Sequence, residues 1–149
     1  MHRMTSFSPD GLTPDAGWRL AVSRTLPAEP DDVWRRLLSE WLPRWLGVDS
    51  VPQMVGAPLR DGAVLRGRVV GAHVGRRVRV RWTPKDLDHE TIFQVTLQDE
   101  GDGTQITLHQ ERLLGAAERQ DLLEHWTGVL DALVDTCSSE RAVVLDLPG

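Results

Sequence analysis

The feature that most constrains this chain is a proline-free run from Ala116 to Asp135 with a single apolar face. Leu122, Trp126, Val129, Leu130 and Leu133 recur at helical spacing, which predicts a helix of about five turns carrying one stripe. Upstream, Val78, Val80 and Trp82 alternate with Arg77, Arg79 and Arg81, the period-two signature of a half-buried strand. A helix with one apolar stripe that follows a one-sided sheet must lie across that sheet to bury both surfaces. The space between them is then either core or a pocket.

The rest of the chain reads in the same way. Trp18, Leu20 and Val22 alternate in a first strand that Pro27 and Pro30 end. Pro30 suits the first turn of a helix, and Asp31 and Asp32 suit the positive end of its dipole. Val33, Trp34, Leu37 and Leu38 supply the apolar face of that first short helix. A second is expected at Glu40–Leu46, where Trp41 and Trp45 share a face and Gly47 stops the helix. A short strand and a loop fall between Val51 and Asp61, which Pro52 and Pro58 break up. Further strands are expected at Ala63–Ala72, Arg76–Trp82, Thr91–Gln98 and Thr104–Glu111, with a polar loop over Thr83–Glu90. Short turns between adjacent strands imply antiparallel pairing, so the expected class is α+β. Residues 1–16 read as an arm, 17–137 as a single domain, and 138–149 as a tail whose run Ala142–Leu145 either adds a strand or frays.

Charge and composition narrow the functions. A formal net charge of -5 argues against nucleic acid as the main partner. The single cysteine, Cys137, excludes an internal disulfide and a cysteine-rich zinc site, and it fits a reducing compartment. No secretory signal and no membrane-length apolar run is apparent, so a cytoplasmic location is expected.

Several stretches together resemble a known family. They are Arg24-Thr25-Leu26-Pro27-Ala28 followed by Val33-Trp34, then Trp45-Leu46-Gly47, then Arg77–Trp82. Gly103-Thr104 and finally His125-Trp126 with Leu130 and Leu133 complete the set. In this order they resemble the helix-grip domains of the START and birch-pollen-allergen superfamily (SRPBCC). The nearest likeness is to homologues of the C-terminal domain of the heat-shock-protein ATPase activator, and it runs from Trp18 to Asp135. The resemblance implies a curved antiparallel sheet wrapped around the last helix, with a cavity between them. It does not imply one activity. Relatives bind lipids, sterols, hormones or polyketides, some are cyclases, and some stimulate a chaperone's ATPase.

The expected function is non-catalytic binding of a small hydrophobic or amphipathic molecule in that cavity. Trp41, Trp45, Val80, Trp82, Phe93, Val95, Leu108, Trp126 and Val129 are the expected apolar walls, large flat surfaces in the case of the indoles. The same tryptophans could equally fill a core. Gln110 and His125 are the expected polar groups that orient the ligand. One alternative is a co-chaperone-like protein that meets its partner through Arg77, Arg79 and Arg81 on the outer sheet face. Another is a polyketide cyclase-like enzyme. The chain has no tyrosine, no nucleophile elbow and no phosphate-cradling glycine loop, so no catalytic residue is assigned. His109, Glu111, Asp88 and His89 lack the spacing of a histidine zinc site, and no metal or cofactor is expected. Monomer and homodimer are both compatible with the sequence.

Overall fold

In a computed structural model of the chain, the backbone is described for residues 12–13 and 17–146, and side chains for 18–141. Most of the expected arm, and the end of the expected tail, lie outside these residues. The elements are β1 (Leu12–Thr13), β2 (Gly17–Leu26), α1 (Pro30–Arg36), a π turn (Leu37–Trp41), α2 (Leu42–Leu46) and β3 (Pro58–Asp61). They continue with β4 (Val64–His73), β5 (Arg77–Trp82), β6 (Thr91–Asp99), β7 (Thr104–Leu113) and α3 (Ala116–Asp146). The strands form one antiparallel sheet in the order β1-β2-β7-β6-β5-β4-β3. The helical run after β2 therefore carries the chain from one side of the sheet to its far edge.

The two short helices are contiguous. Pro43 explains the π turn that joins them: it has no N–H to give the Ser39 carbonyl, and its ring would clash there. The helix widens instead, and the Leu42 N–H reaches the Leu37 carbonyl five residues back. Gly47, at φ 68°, closes the run in the left-handed conformation.

Both helical layers share one core with the inner face of the sheet. Val33, Leu37, Trp41, Leu42 and Leu46 from the helical run join Val78, Val80, Trp82, Phe93 and Val95. From the other side α3 adds Trp126, Leu130, Leu133 and Cys137. The helix continues past Asp135 because the apolar spacing itself continues, from Leu133 to Cys137, and no proline intervenes before Pro148. The segment expected as a separate tail is thus helical up to Asp146. Glu140, in this extension, accepts two hydrogen bonds from Arg36 at 2.6 and 3.2 Å, and Arg36 also lies over the Trp41 ring.

The outer face is polar, as the arginine alternation predicts. Arg77 and Arg81 are exposed, and Arg79 bridges Gln94 and Glu111 at 3.1 and 3.0 Å. His109 sits among these groups, and its Nδ1 is buried with no hydrogen-bond partner among the described residues. Burial, then the positive field of Arg19, holds its imidazole below the ordinary histidine range. The unfolded chain takes a proton at about pH 6.5 that the folded chain refuses until lower pH, so stability falls as pH drops below about 6.5. The thermal midpoint should therefore decline between pH 7.5 and 5.5, and His109→Gln should flatten that slope. An unchanged slope in the variant would remove His109 as its source.

Candidate functional site

The expected wall residues converge. On the inner face the registers align Val80 with Phe93 and Gln110, and Val78 with Val95 and Leu108. Above them the aromatic rings form a continuous row. Trp41 stacks on Trp45 with centroids 6.4 Å apart, and Trp45 meets Trp126 edge-on at 6.1 Å. Trp126 tilts against Phe93 at 4.9 Å, and Phe93 meets Trp82 edge-on at 5.6 Å. The row crosses from the helical run over α3 to the sheet. It ties all three layers together.

A chain of hydrogen bonds runs through the same region. The Trp126 indole donates to Gln110 Oε1 at 2.9 Å, and Gln110 Nε2 donates to the Thr91 hydroxyl at 3.1 Å. That hydroxyl donates to the Trp82 carbonyl at 2.9 Å, and the Trp82 indole donates to the Leu46 carbonyl at 2.9 Å. Thr91 and Gln110 are both 0% exposed, so each bond replaces hydration lost on folding. Sequence reasoning found Gln110 by alternation but missed Thr91. Only the register, which pairs Thr91 with Trp82, brings its hydroxyl into the chain.

Val80, Phe93, Val95, Leu108, Gln110 and Trp126 are at most 1% exposed, so this part of the row is packed. Trp41 and Trp82, the two ends of the row, are buried too, whereas Trp45 and Val129 are half-buried and mark where the row comes nearest the surface. His125 is exposed and stands edge-on to Trp126 at 4.7 Å, on its solvent side. The amide of Gln110 is bonded by protein on both sides, so it positions Trp126 more directly than it addresses a ligand.

An open cleft of about 1540 Å³ lies at the opposite end of β5 and β6, where Arg77 and Leu97 sit rather than Trp82 and Thr91. The β4–β5 turn gives it a basic wall with Arg76 and Arg77. Asp31 and Asp99 face it from α1 and from the end of β6, and α3 closes it with Cys137 and Glu140. Burial raises the Cys137 thiol above its ordinary range, which disfavours the thiolate. Among the described residues no three histidine, cysteine or acidic side chains converge as a metal site, and no helix is long and apolar enough to cross a membrane.

No family model and no curated protein matches the chain. Solved structures do. DynU16, a protein in the dynemicin biosynthetic locus, is similar with TM-score 0.67 at 20% identity, covering 85% of this chain and 47% of that one. This chain thus spans about half of DynU16. CalU16 from Micromonospora echinospora is similar with TM-score 0.65 at 18% identity, over 89% of this chain and 85% of that one. The Aha1 dimer from Colwellia psychrerythraea is similar with TM-score 0.61 at 12% identity, over 80% and 95%. The chain shares the helix-grip fold of these structures, a curved antiparallel sheet packed against a long C-terminal helix.

Proposed function

We propose that this protein binds a small hydrophobic or amphipathic molecule against its aromatic row, without turnover. The observation that carries this reading is the row itself, continuous from half-buried Trp45 to buried Trp82 across three layers. A filled core needs apolar volume, which leucines supply with well-defined rotamers. Five touching aromatic rings offer flat, rigid faces that stack on a planar or amphipathic guest. Binding would begin at Trp45 and Val129 and separate α3 from the helical run, with Trp82, Phe93 and Trp126 as the inner walls. Gln110 would hold Trp126 in place, and His125 would stand at the outer rim.

The test uses the six tryptophans, which emit without interference because the chain has no tyrosine. Intrinsic fluorescence is titrated with fatty acids, sterols, flavonoids and aromatic polyketides. Saturable quenching or a spectral shift by one class is expected. A flat response to every class sinks the proposal. It would turn attention to a co-chaperone-like role, which the exposed Arg77 and Arg81 on the outer face favour.

A further inference from the structure

The loop from Thr83 to Glu90 spans the Trp82–Thr91 end of the sheet and is tied down almost entirely by side chains. Its neighbour on one side is β5, which ends in Trp82, and on the other β6, which starts with Thr91. Thr83 N–H bonds the Arg66 carbonyl at the loop's start. From Pro84 to Glu90 the only backbone bond among the described residues is internal, Leu87 N–H to the Pro84 carbonyl. Pro84 is buried, Arg81 of β5 approaches Glu90 at 3.9 Å, and two closer ion pairs tie the loop to β3 and α3. Lys85 reaches Asp61 on β3 at 3.0 Å, and its stem lies over Gly47 at the end of α2. His89 Nε2 meets both carboxylate oxygens of Glu118 on α3, at 3.0 and 3.1 Å. Glu118, Leu122 and Trp126 follow one another at four-residue steps, so this anchor sits on the same face of α3 as the aromatic row.

The His89 ring has an unusual pair of partners. Its Nδ1 lies 3.2 Å from the Glu90 carbonyl, while Nε2 faces the Glu118 carboxylate. Both partners only accept. A neutral imidazole carries one N–H and can satisfy one of them; the imidazolium carries two and satisfies both. The remaining charged neighbours are Glu90 and Asp88 on the loop, with Arg81 of β5 3.9 Å from Glu90. Glu118 also accepts the Leu114 N–H at 2.9 Å, which fixes the carboxylate at the start of α3.

We propose that the Thr83–Glu90 loop is a lid over the inner end of the aromatic row, latched to α3 by the His89 imidazolium and released when His89 loses its proton. The purpose of such a lid rests on the ligand-binding reading above, but its mechanics do not. At low pH both ring N–H groups are engaged and the loop is held. As pH rises, one bond becomes a contact between two lone pairs and the other loses its charge assistance.

Hydrogen exchange of the full chain without ligand, followed by mass spectrometry at about pH 5.5 and 8 and corrected for intrinsic rates, reads the latch. The Leu87 amide, bonded inside the loop to the Pro84 carbonyl, should be protected about tenfold more at the lower pH, the worth of one charge-assisted hydrogen bond. The amides of β6 are the internal reference. His89→Ala should exchange fast in this loop at both pH values, and Glu118→Gln, which keeps the Leu114 bond, should lose most of the pH dependence. Equal wild-type protection at both pH values, or wild-type protection in His89→Ala, overturns the latch. A failed ligand panel leaves this readout intact, and a pH-independent loop leaves the panel's answer standing, so the two ideas fail separately.

Discussion

Replacing Trp126 with alanine is expected to lower the unfolding free energy by about 3–5 kcal/mol, among the largest effects of any single substitution in this chain. Two losses add. The indole is 1% exposed and touches Trp45 and Phe93, so its removal opens a cavity at the junction of all three layers. It also strips the buried Gln110 Oε1 of its donor. Trp126→Phe shifts the balance between the two, since it keeps a buried aromatic ring, opens a smaller cavity and removes the N–H. That variant should cost about 1–3 kcal/mol for the stranded acceptor. Adding Gln110→Leu to Trp126→Phe removes both partners, so the double variant should cost less than the sum of the singles. Urea unfolding of the four proteins measures this coupling. Strict additivity would mean that the Trp126–Gln110 bond contributes little.

The second large effect is expected at two glycines that no turn requires. At Gly67 on β4 an added Cβ would overlap the Arg81 carbonyl of β5, and at Gly103 it would overlap the Leu26 carbonyl of β2. Both obstacles are backbone, so no rotamer change relieves them. Gly67→Ala must push apart β4 and β5, where Gly67 pairs with Trp82 beside the aromatic row. Gly103→Ala must part the β2–β7 pair at Leu26 and Thr104, which anchors the first strand beside the last. Each should destabilise by about 1–3 kcal/mol, at the upper end of overpacking costs. Gly75→Ala is the contrast: nothing lies within 4 Å of its Cβ, and only its φ of 82° resists the change. Thermal midpoints of the three variants should rank accordingly, and a Gly67→Ala protein as stable as wild type would refute the close approach.

How much of this was legible depended on whether the signal was periodic or geometric. The α3 stripe and the alternation in β5, β6 and β7 gave the fold class and the inward faces, since every second residue is buried along β5, from Phe93 to Leu97 in β6 and from Thr104 to Gln110 in β7. In β4 the alternation fails because bulges intervene at Arg66 and Val70, where the register slips against β3 and β5. Its burial pattern is consequently irregular, and Val70 is 37% exposed. The length of α3 was underestimated although the stripe extends to Cys137, because polar Ser138 and Ser139 interrupt the apolar face. The candidate site divides in the same way. The burial of Val80, Trp82, Phe93, Val95, Leu108 and Trp126 follows from period, whereas Trp45 and Val129 are half-buried. The polar connections of the site do not follow from period, because Thr91 to Trp82 and Gln110 to Trp126 are set by register and by how α3 crosses the sheet. His125 shows the limit of helical spacing: one residue from Trp126, it lies outside the stripe and in solvent.

The most direct measurement is an indole N–H correlation spectrum of the ¹⁵N-labelled protein, recorded with and without the molecule that quenches its fluorescence. Six indole resonances report on six known places. Binding against the aromatic row should shift Trp41, Trp45, Trp82 and Trp126 and leave Trp18 and Trp34 in place, Trp34 being bonded to Gln53 on another side of the helical run. Shifts confined to Trp18 and Trp34, or none at saturating ligand, would contradict a binding site on the row.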